Sequence, residues 1–227
     1  MSTGSQLITK FNLQVDDASE LSDTEALDLA NDVYQEIQDD RPWEWLKVPF
    51  IGNTSVSVPY IALPADFKEV APNYSGLQNG SFNNLGVPAG YRAPVYTNAT
   101  NFPVVFVGTN FTPYRIIPYS DRRNYRNTDG FCYIDIPNAQ LVFTLQPTSV
   151  QAVEFDYIKV AAALATNTSP LFRTGYHKII AFGMAVKFNP IEQTDKSTSY
   201  MQENQDKYHK LLSDMAIEDS SIKVAYS

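Results

Sequence analysis

The chain is poor in the residues that most often carry chemistry. It has one cysteine, Cys132, and two histidines, His177 and His209, in 227 residues. A lone cysteine excludes an intrachain disulfide and a cysteine-built zinc site, and a non-oxidising compartment is the simple reading. The histidines fall on different expected helices and form no HExxH-like pair. There is no GxSxG, no Gly-rich phosphate loop after a strand and no GxGxxG. No run of 18 apolar residues exists to span a membrane. Met1 to Lys10 has neither the basic region nor the apolar stretch of a signal peptide. Basic residues are nearly absent from one segment: Asp16–Glu44 holds eleven acids and a single base, Arg41. That segment supplies the whole net charge of −8. An acidic segment argues against gripping duplex DNA by its phosphates.

What is present is a globular composition, 44% apolar and 13% aromatic. Thirteen of the fourteen prolines lie between Pro42 and Pro170. Each would cost about 3 kcal/mol inside a helix, so helical ends are expected around a β-rich middle. Leu7, Ile8 and Phe11 have helical spacing. Ser22-Asp23-Thr24-Glu25 reads as a capping box, and Leu27, Ala30, Tyr34 and Ile37 then make one buried face. The helix should stop by Arg41, ahead of Pro42.

In the middle, Ser55–Tyr60 and Ala152–Lys159 alternate, Val104–Val107 is a short apolar run, and Phe131–Ile136 and Gln140–Gln146 read as a hairpin. Residues 73–101, rich in Gly, Asn and Pro, have little periodicity, and a loop of that length is often functional. Ser169-Pro170 has the form of an N-cap and first helical residue. Ile179–Val186 is apolar all round, the mark of a buried helix. A last helix after Pro190 would present Tyr200, Asn204, Tyr208, Leu211 and Met215. From about Ile217 the chain turns polar, with Ile222, Val224 and Tyr226 alternating. This tail is either a strand for a partner's sheet edge or a frayed terminus.

The candidate surfaces are few. Glu25, Asp28, Asp32, Glu36 and Asp39 form a stripe nearly opposite the buried face of the second helix. Its like-charged i,i+4 pairs cost about 0.2–0.5 kcal/mol each. The stripe is a solubility face, a surface that repels something negative, or one that meets a basic partner. Arg122, Arg123, Tyr125 and Arg126 form a basic cluster. It reads as a solvated loop or hairpin tip, a protein contact, or a site for single-stranded nucleic acid. Trp43 and Trp45 are large anchors for a core or an interface. Cys132 lies in an apolar run and reads as an inert buried thiol. His177, beside the apolar helix, reads as structural. No residue is singled out as catalytic, cofactor-binding or metal-ligating.

The order of motifs resembles a known family. Leu29-Ala30-Asn31-Asp32-Val33-Tyr34-Gln35-Glu36-Ile37 leads into Arg41-Pro42-Trp43-Glu44-Trp45-Leu46. Leu63-Pro64-Ala65-Asp66-Phe67 follows, then Leu141-Val142-Phe143-Thr144-Leu145-Gln146-Pro147 before Val153-Glu154-Phe155-Asp156-Tyr157, and Pro170-Leu171-Phe172 before the apolar helix. Over residues 22–216 this layout resembles the head-to-tail connector (adaptor) proteins of tailed bacteriophages. The resemblance implies an α+β fold: a helical bundle from residues 1–46 and 169–216, a β-rich domain at 47–168 inserted between them, and a docking tail at 217–227. It implies a structural virion protein of the neck, assembled in the host cytoplasm. Its subunits would form a homo-oligomeric ring, commonly of twelve, beneath the portal protein and above a tail or nozzle protein. The acidic stripe would then face a channel through which DNA passes without specific binding. No cofactor and no membrane enter this reading. Alternatives are another neck ring, such as a tail terminator or stopper, and a carbohydrate- or receptor-binding module suggested by the Tyr- and Asn-rich middle. An enzyme would need a cleft gathering Asp66, Glu154 or Asp156.

Overall fold

A computed structural model describes residues 2–15, 21–71, 104–188 and 195–225, with side chains of the last helix described for 201–220. Its helices are α1 (Gly4–Asn12), α2 (Asp23–Asp40), α3 (Lys178–Phe188) and α4 (Asp195–Ala225). Its strands are β1 (Lys47–Asn53), β2 (Tyr60–Ala62), β3 (Phe67–Val70), β4 (Val104–Val107), β5 (Thr112–Ile116), β6 (Phe131–Asp135), β7 (Gln140–Phe143) and β8 (Ala152–Lys159). By contacts the chain falls into two compact units, Met1–Trp45 with Ala161–Ile222 and Leu46–Val160 with Lys223–Ser227.

All eight strands belong to one sheet, in the order β1-β8-β4-β5-β6-β7-β2, with β3 also paired to β8. Strand β8 organises it. β1 pairs along its whole length, while β4 takes Val153 and Glu154 and β3 takes Tyr157 to Lys159. The strands at the two ends of this path, β1 and β2, are consecutive in sequence. The short turn between them, closed by a Ser55–Val58 bridge, brings the sheet round until it is nearly a barrel. Inward residues at period two come from every strand. Val105, Cys132, Leu141 and Val153 are fully buried, and Phe50, Ile61, Val70 and Ile116 pack against them.

The expected fold class, a helical bundle carrying an inserted β-rich domain, is therefore corrected. Among the described residues, the dominant element is a single mixed, nearly closed, barrel-like sheet of eight strands accompanied by four α-helices. The sequence pattern hid half of it, because β1, β2, β3 and β5 are short, half-exposed or proline-containing. The pairing of β5 with β6 is parallel, whereas the other strand pairs are antiparallel. A parallel pair needs a long crossover, so the basic cluster sits in the β5–β6 connection and not at a hairpin tip. The β6–β7 hairpin forms as its pattern suggested. Ser55–Tyr60 is instead mostly turn, with Ser57 at φ 63°. The 73–101 segment lies outside the described residues.

In the helical unit, α1 buries Leu7, Ile8 and Phe11. Helix α2 starts at the expected capping box: the Glu25 N–H donates to Ser22 Oγ at 3.3 Å, and the Ser22 N–H to Glu25 Oε2 at 2.9 Å. It buries Ala26, Ala30, Val33, Tyr34, Ile37 and Gln38. Helix α3 is apolar on all sides and touches α1 and α2. Gly183 makes the close approach possible, since a Cβ there would lie 2.5 Å from Val33 Cγ1 and 3.0 Å from Tyr208 Cε2.

The irregular chain from Ala161 to His177 has its backbone groups satisfied by side chains of α2. The Leu164 N–H donates to Asn31 Oδ1 at 2.6 Å, and Asn31 Nδ2 donates to the Leu164 carbonyl at 3.1 Å. The Ala161 N–H donates to Gln38 at 2.8 Å and the Leu171 N–H to the Tyr34 hydroxyl at 3.1 Å. No helix begins at Ser169-Pro170; a short 3-10 turn follows at Thr174–Tyr176, and α3 starts only at Lys178. Helix α4 continues to Ala225, so the segment holding Ile222 and Val224 is helical where an alternating tail was expected. Tyr226 lies outside the described residues.

Candidate functional site

The aromatic residues at the C-terminal end of α2 build the most developed site. Pro42 ends the helix, and the chain doubles back so that the Trp43 indole N–H donates to the carbonyl of Ile37. That satisfies one of the helix's last free carbonyls. Trp43 is fully buried, while Trp45 is half-buried. Trp45 meets Phe172 edge-on at 5.4 Å, stacks on Tyr34 at 6.3 Å and contacts Trp43 at 6.1 Å, all between ring centroids. Pairs of this geometry add about 0.5–1.5 kcal/mol each beyond their area burial. Trp43 is thus a core residue, and Trp45 is both core and wall. The two indoles, with Phe172, Tyr176 and Met215, enclose a cavity of about 100 Å³. Arg173, Glu218 and Asp219 complete its lining. Arg173 is ion-paired to Glu218. The Tyr176 hydroxyl and the Arg173 guanidinium hold the Glu218 carboxyl below its usual range. The Glu44 N–H donates to Asp219 Oδ1 at 2.9 Å.

His177 anchors the same region. Its Nδ1 accepts from the Ser2 N–H at 3.1 Å, and its Nε2 lies 2.9 Å from the carbonyl of Phe172. These partners require a neutral ring with the proton on Nε2. Burial, first of all, lowers its pKa. The ring is structural.

The five acids of the stripe, Glu25, Asp28, Asp32, Glu36 and Asp39, are all exposed. They are not equivalent. Glu25 is held by Ser22, whose hydroxyl and backbone N–H lower its pKa. Glu36 pairs with Lys187 of α3 at 2.7 Å, and Asp39 accepts from Gln35 at 3.1 Å. Sequence spacing could not have found Lys187, which is remote in the chain. In the basic cluster, Arg122 donates to the Tyr119 carbonyl at 2.7 Å, and its guanidinium lies 3.7 Å from the Tyr119 ring centroid. Tyr125 packs on Phe131 at 4.5 Å, while Arg123 and Arg126 are exposed. The structure does not gather the stripe and the basic cluster within one compact unit.

Two of the three carboxylates an enzyme would need, Asp66 and Asp156, are spent on scaffold contacts. The Tyr157 hydroxyl donates to Asp66 at 2.9 Å, and burial followed by that bond pushes it up to about 12. Asp156 pairs with Lys47 at 3.3 Å. Cys132 is fully buried in the barrel, which raises its thiol far above the usual range. Among the described residues, no group of three His, Cys, Asp or Glu could hold a metal ion, and no helix is long and apolar enough to cross a membrane.

The described residues present a sheet-based scaffold and a side-chain-sized pocket. The comparison with known families is more specific. The family model of the SU10 adaptor protein matches residues 2–224, and the chain belongs to this family of phage head-to-tail adaptors. The resemblance read from the motif order is thereby borne out. The family is a structural one and not a known enzyme class. Among curated proteins, none matches the chain.

Proposed function

We propose that the protein is the head-to-tail adaptor of a tailed-phage virion. It forms a homo-oligomeric ring that docks under the portal protein, joins the capsid to the tail component below and leaves a channel for the genome. The observation that carries this reading is a family match running over nearly the whole chain. Ring closure uses two different patches on each subunit, and twelve copies is the expected number. Residues 217–227, with Ile222, Val224 and Tyr226, dock on the portal.

In this arrangement the stripe on α2 lines the channel. A negative wall holds phosphates off by repulsion that acts over about 8 Å at physiological ionic strength, which favours passage over binding. Purified protein mixed with purified portal tests the assignment. A ring mass near twelve subunits and a stable portal complex are expected. A ring that ignores portal, yet binds tail tube, would identify a terminator or stopper instead. Deletion of residues 222–227, which removes Ile222, Val224 and Tyr226 but spares Glu218 and Asp219, should leave a folded subunit with weakened portal attachment.

A further inference from the structure

The cavity beside Trp43 and Trp45 shares Glu218 and Asp219 with the 217–227 segment, but its aromatic walls have no part in the roles just given. Its walls are aromatic, and the Trp45 indole N–H is buried without an acceptor. A buried donor left unpaired is destabilising until an oxygen reaches it. At its edge, Arg173 pairs with Glu218, yet the Arg173 side chain is 73% exposed. Asp219 stands next to that pair. Two carboxylates and one guanidinium (−2 and +1) leave this edge at a formal −1. Aromatic faces beside carboxylates are the surroundings that suit a guanidinium. The Arg173 half of this pair is open to water, although Glu218 is only 29% exposed, and a pair solvated at its guanidinium contributes little, so a second cation can exchange with Arg173.

The charge that fits lies on the chain itself. Among the described arginines, Arg41 pairs with Asp40, Arg122 lies over Tyr119, Arg173 holds Glu218 and Arg115 has contacts of its own. Arg123 and Arg126 are exposed, and no ion pair of theirs is found among the described residues. We infer that the pocket receives a guanidinium from a second copy of the chain, supplied by Arg123 or Arg126, with Arg173 as the resident cation that gives up Glu218. The incoming chain also brings an oxygen within reach of the Trp45 N–H. This deepens the proposed ring and rests on it, since each subunit would offer both the arginine loop and the pocket.

The test has two arms. First, purified protein is titrated with N-acetyl-argininamide and followed by tryptophan fluorescence, since both of the chain's tryptophans wall the pocket. A saturable change is expected with the arginine probe and none with the neutral citrulline analogue. Arg173→Ala should tighten binding about two- to fivefold, by removing the competing exposed pair. Glu218→Gln should weaken it about tenfold or more, by removing a charged acceptor. A purely structural ion pair would make both variants act in the same direction. That result, or an equal response to citrulline, overturns the site. Far-UV circular dichroism checks that each variant is folded. Second, ring assembly is measured by mass photometry. Arg123→Ala/Arg126→Ala and Glu218→Gln should both reduce assembly, and Arg173→Ala should not. Normal rings from the double-arginine variant overturn the second copy as occupant while leaving the ring intact. If the wild type forms no ring, the ring reading fails and the occupant with it, and the probe titration still decides the pocket.

Discussion

Replacing Gly183 by alanine tests whether α2, α3 and α4 are packed as tightly as the geometry requires. The new Cβ would stand 2.5 Å from Val33 Cγ1, 3.2 Å from Val33 Cγ2 and 3.0 Å from Tyr208 Cε2. Carbon atoms prefer about 3.5–4.0 Å, so the overlap with Val33 is near 1 Å. Val33 cannot swing aside, because a β-branched residue in a helix has essentially one χ1 choice and Val33 is buried. The helices must separate instead. Overpacking of this kind costs about 1–3 kcal/mol, against which alanine recovers about 1 kcal/mol of helix propensity. An overlap near 1 Å with a side chain that cannot move puts the cost in the upper part of that range, about 2–3 kcal/mol, so the net loss should be about 1–2 kcal/mol, or roughly 2–8 °C in Tm for a chain of this size. Both tryptophans lie in this unit, so their fluorescence during denaturation reports on it directly. The double variant with Val33→Ala should be more stable than the sum of the single effects by about 1–2 kcal/mol. A Gly183→Ala protein as stable as wild type, or strictly additive single effects, would refute the packing argument.

Three further outcomes are expected. Ser22→Ala removes the α2 cap and should cost about 1 kcal/mol in the same assay, while Thr24→Ala, exposed and inside the first turn, should not. Asn31→Leu orphans the Leu164 N–H and carbonyl and should cost about 1–3 kcal/mol for each group that stays dry, visible as protease sensitivity near residue 164. His177 has a folded pKa below its unfolded value, so its contribution is complete above about 6.5 and is lost as pH falls from there through the folded pKa. The slope approaches about 1.4 kcal/mol per pH unit at most. His177→Gln should flatten the acid limb of a stability–pH curve, and an unchanged acid limb would show that His177 does not titrate on unfolding.

Some elements were legible because one local rule decided them. The α2 start is a capping box and nothing else, and β8 alternates over its full length. Strands β1 and β5 were hidden by Pro49 and Pro113, residues that usually argue against a strand. Both prolines sit where the ladder tolerates them. β1 is at an end of the strand path, and Pro113 precedes Arg115 and Ile116, the residues of β5 that pair with β6. Closure of the sheet is a long-range property, set by which strand takes which edge of β8, and no window of sequence encodes it. The pocket was half legible. Trp43 and Trp45 announced themselves as anchors, and Phe172 lay in a quoted motif. The Arg173–Glu218 pair joins residues 45 apart on different elements, which periodicity cannot see.

The charge imbalance at the start of the chain can now be divided by residue. Glu25 works for the α2 cap and Glu36 is matched by Lys187, so reversing either would disturb the fold as well as the field. Asp28 and Asp32 are exposed and form no ion pair found among the described residues, and they repel each other at i,i+4. Asp32 also faces Glu36. Relieving two such pairs should make Asp32→Asn more stable by about 0.4–1 kcal/mol. A face that serves only solubility would lose nothing else by this change. A channel wall would lose part of its repulsion, and Asp28→Lys/Asp32→Lys rings should then retain DNA that wild-type rings release, with a difference that fades as salt is raised. Equal retention at low salt would place these acids in ordinary solvent and remove the channel from the account of why this helix carries so much charge.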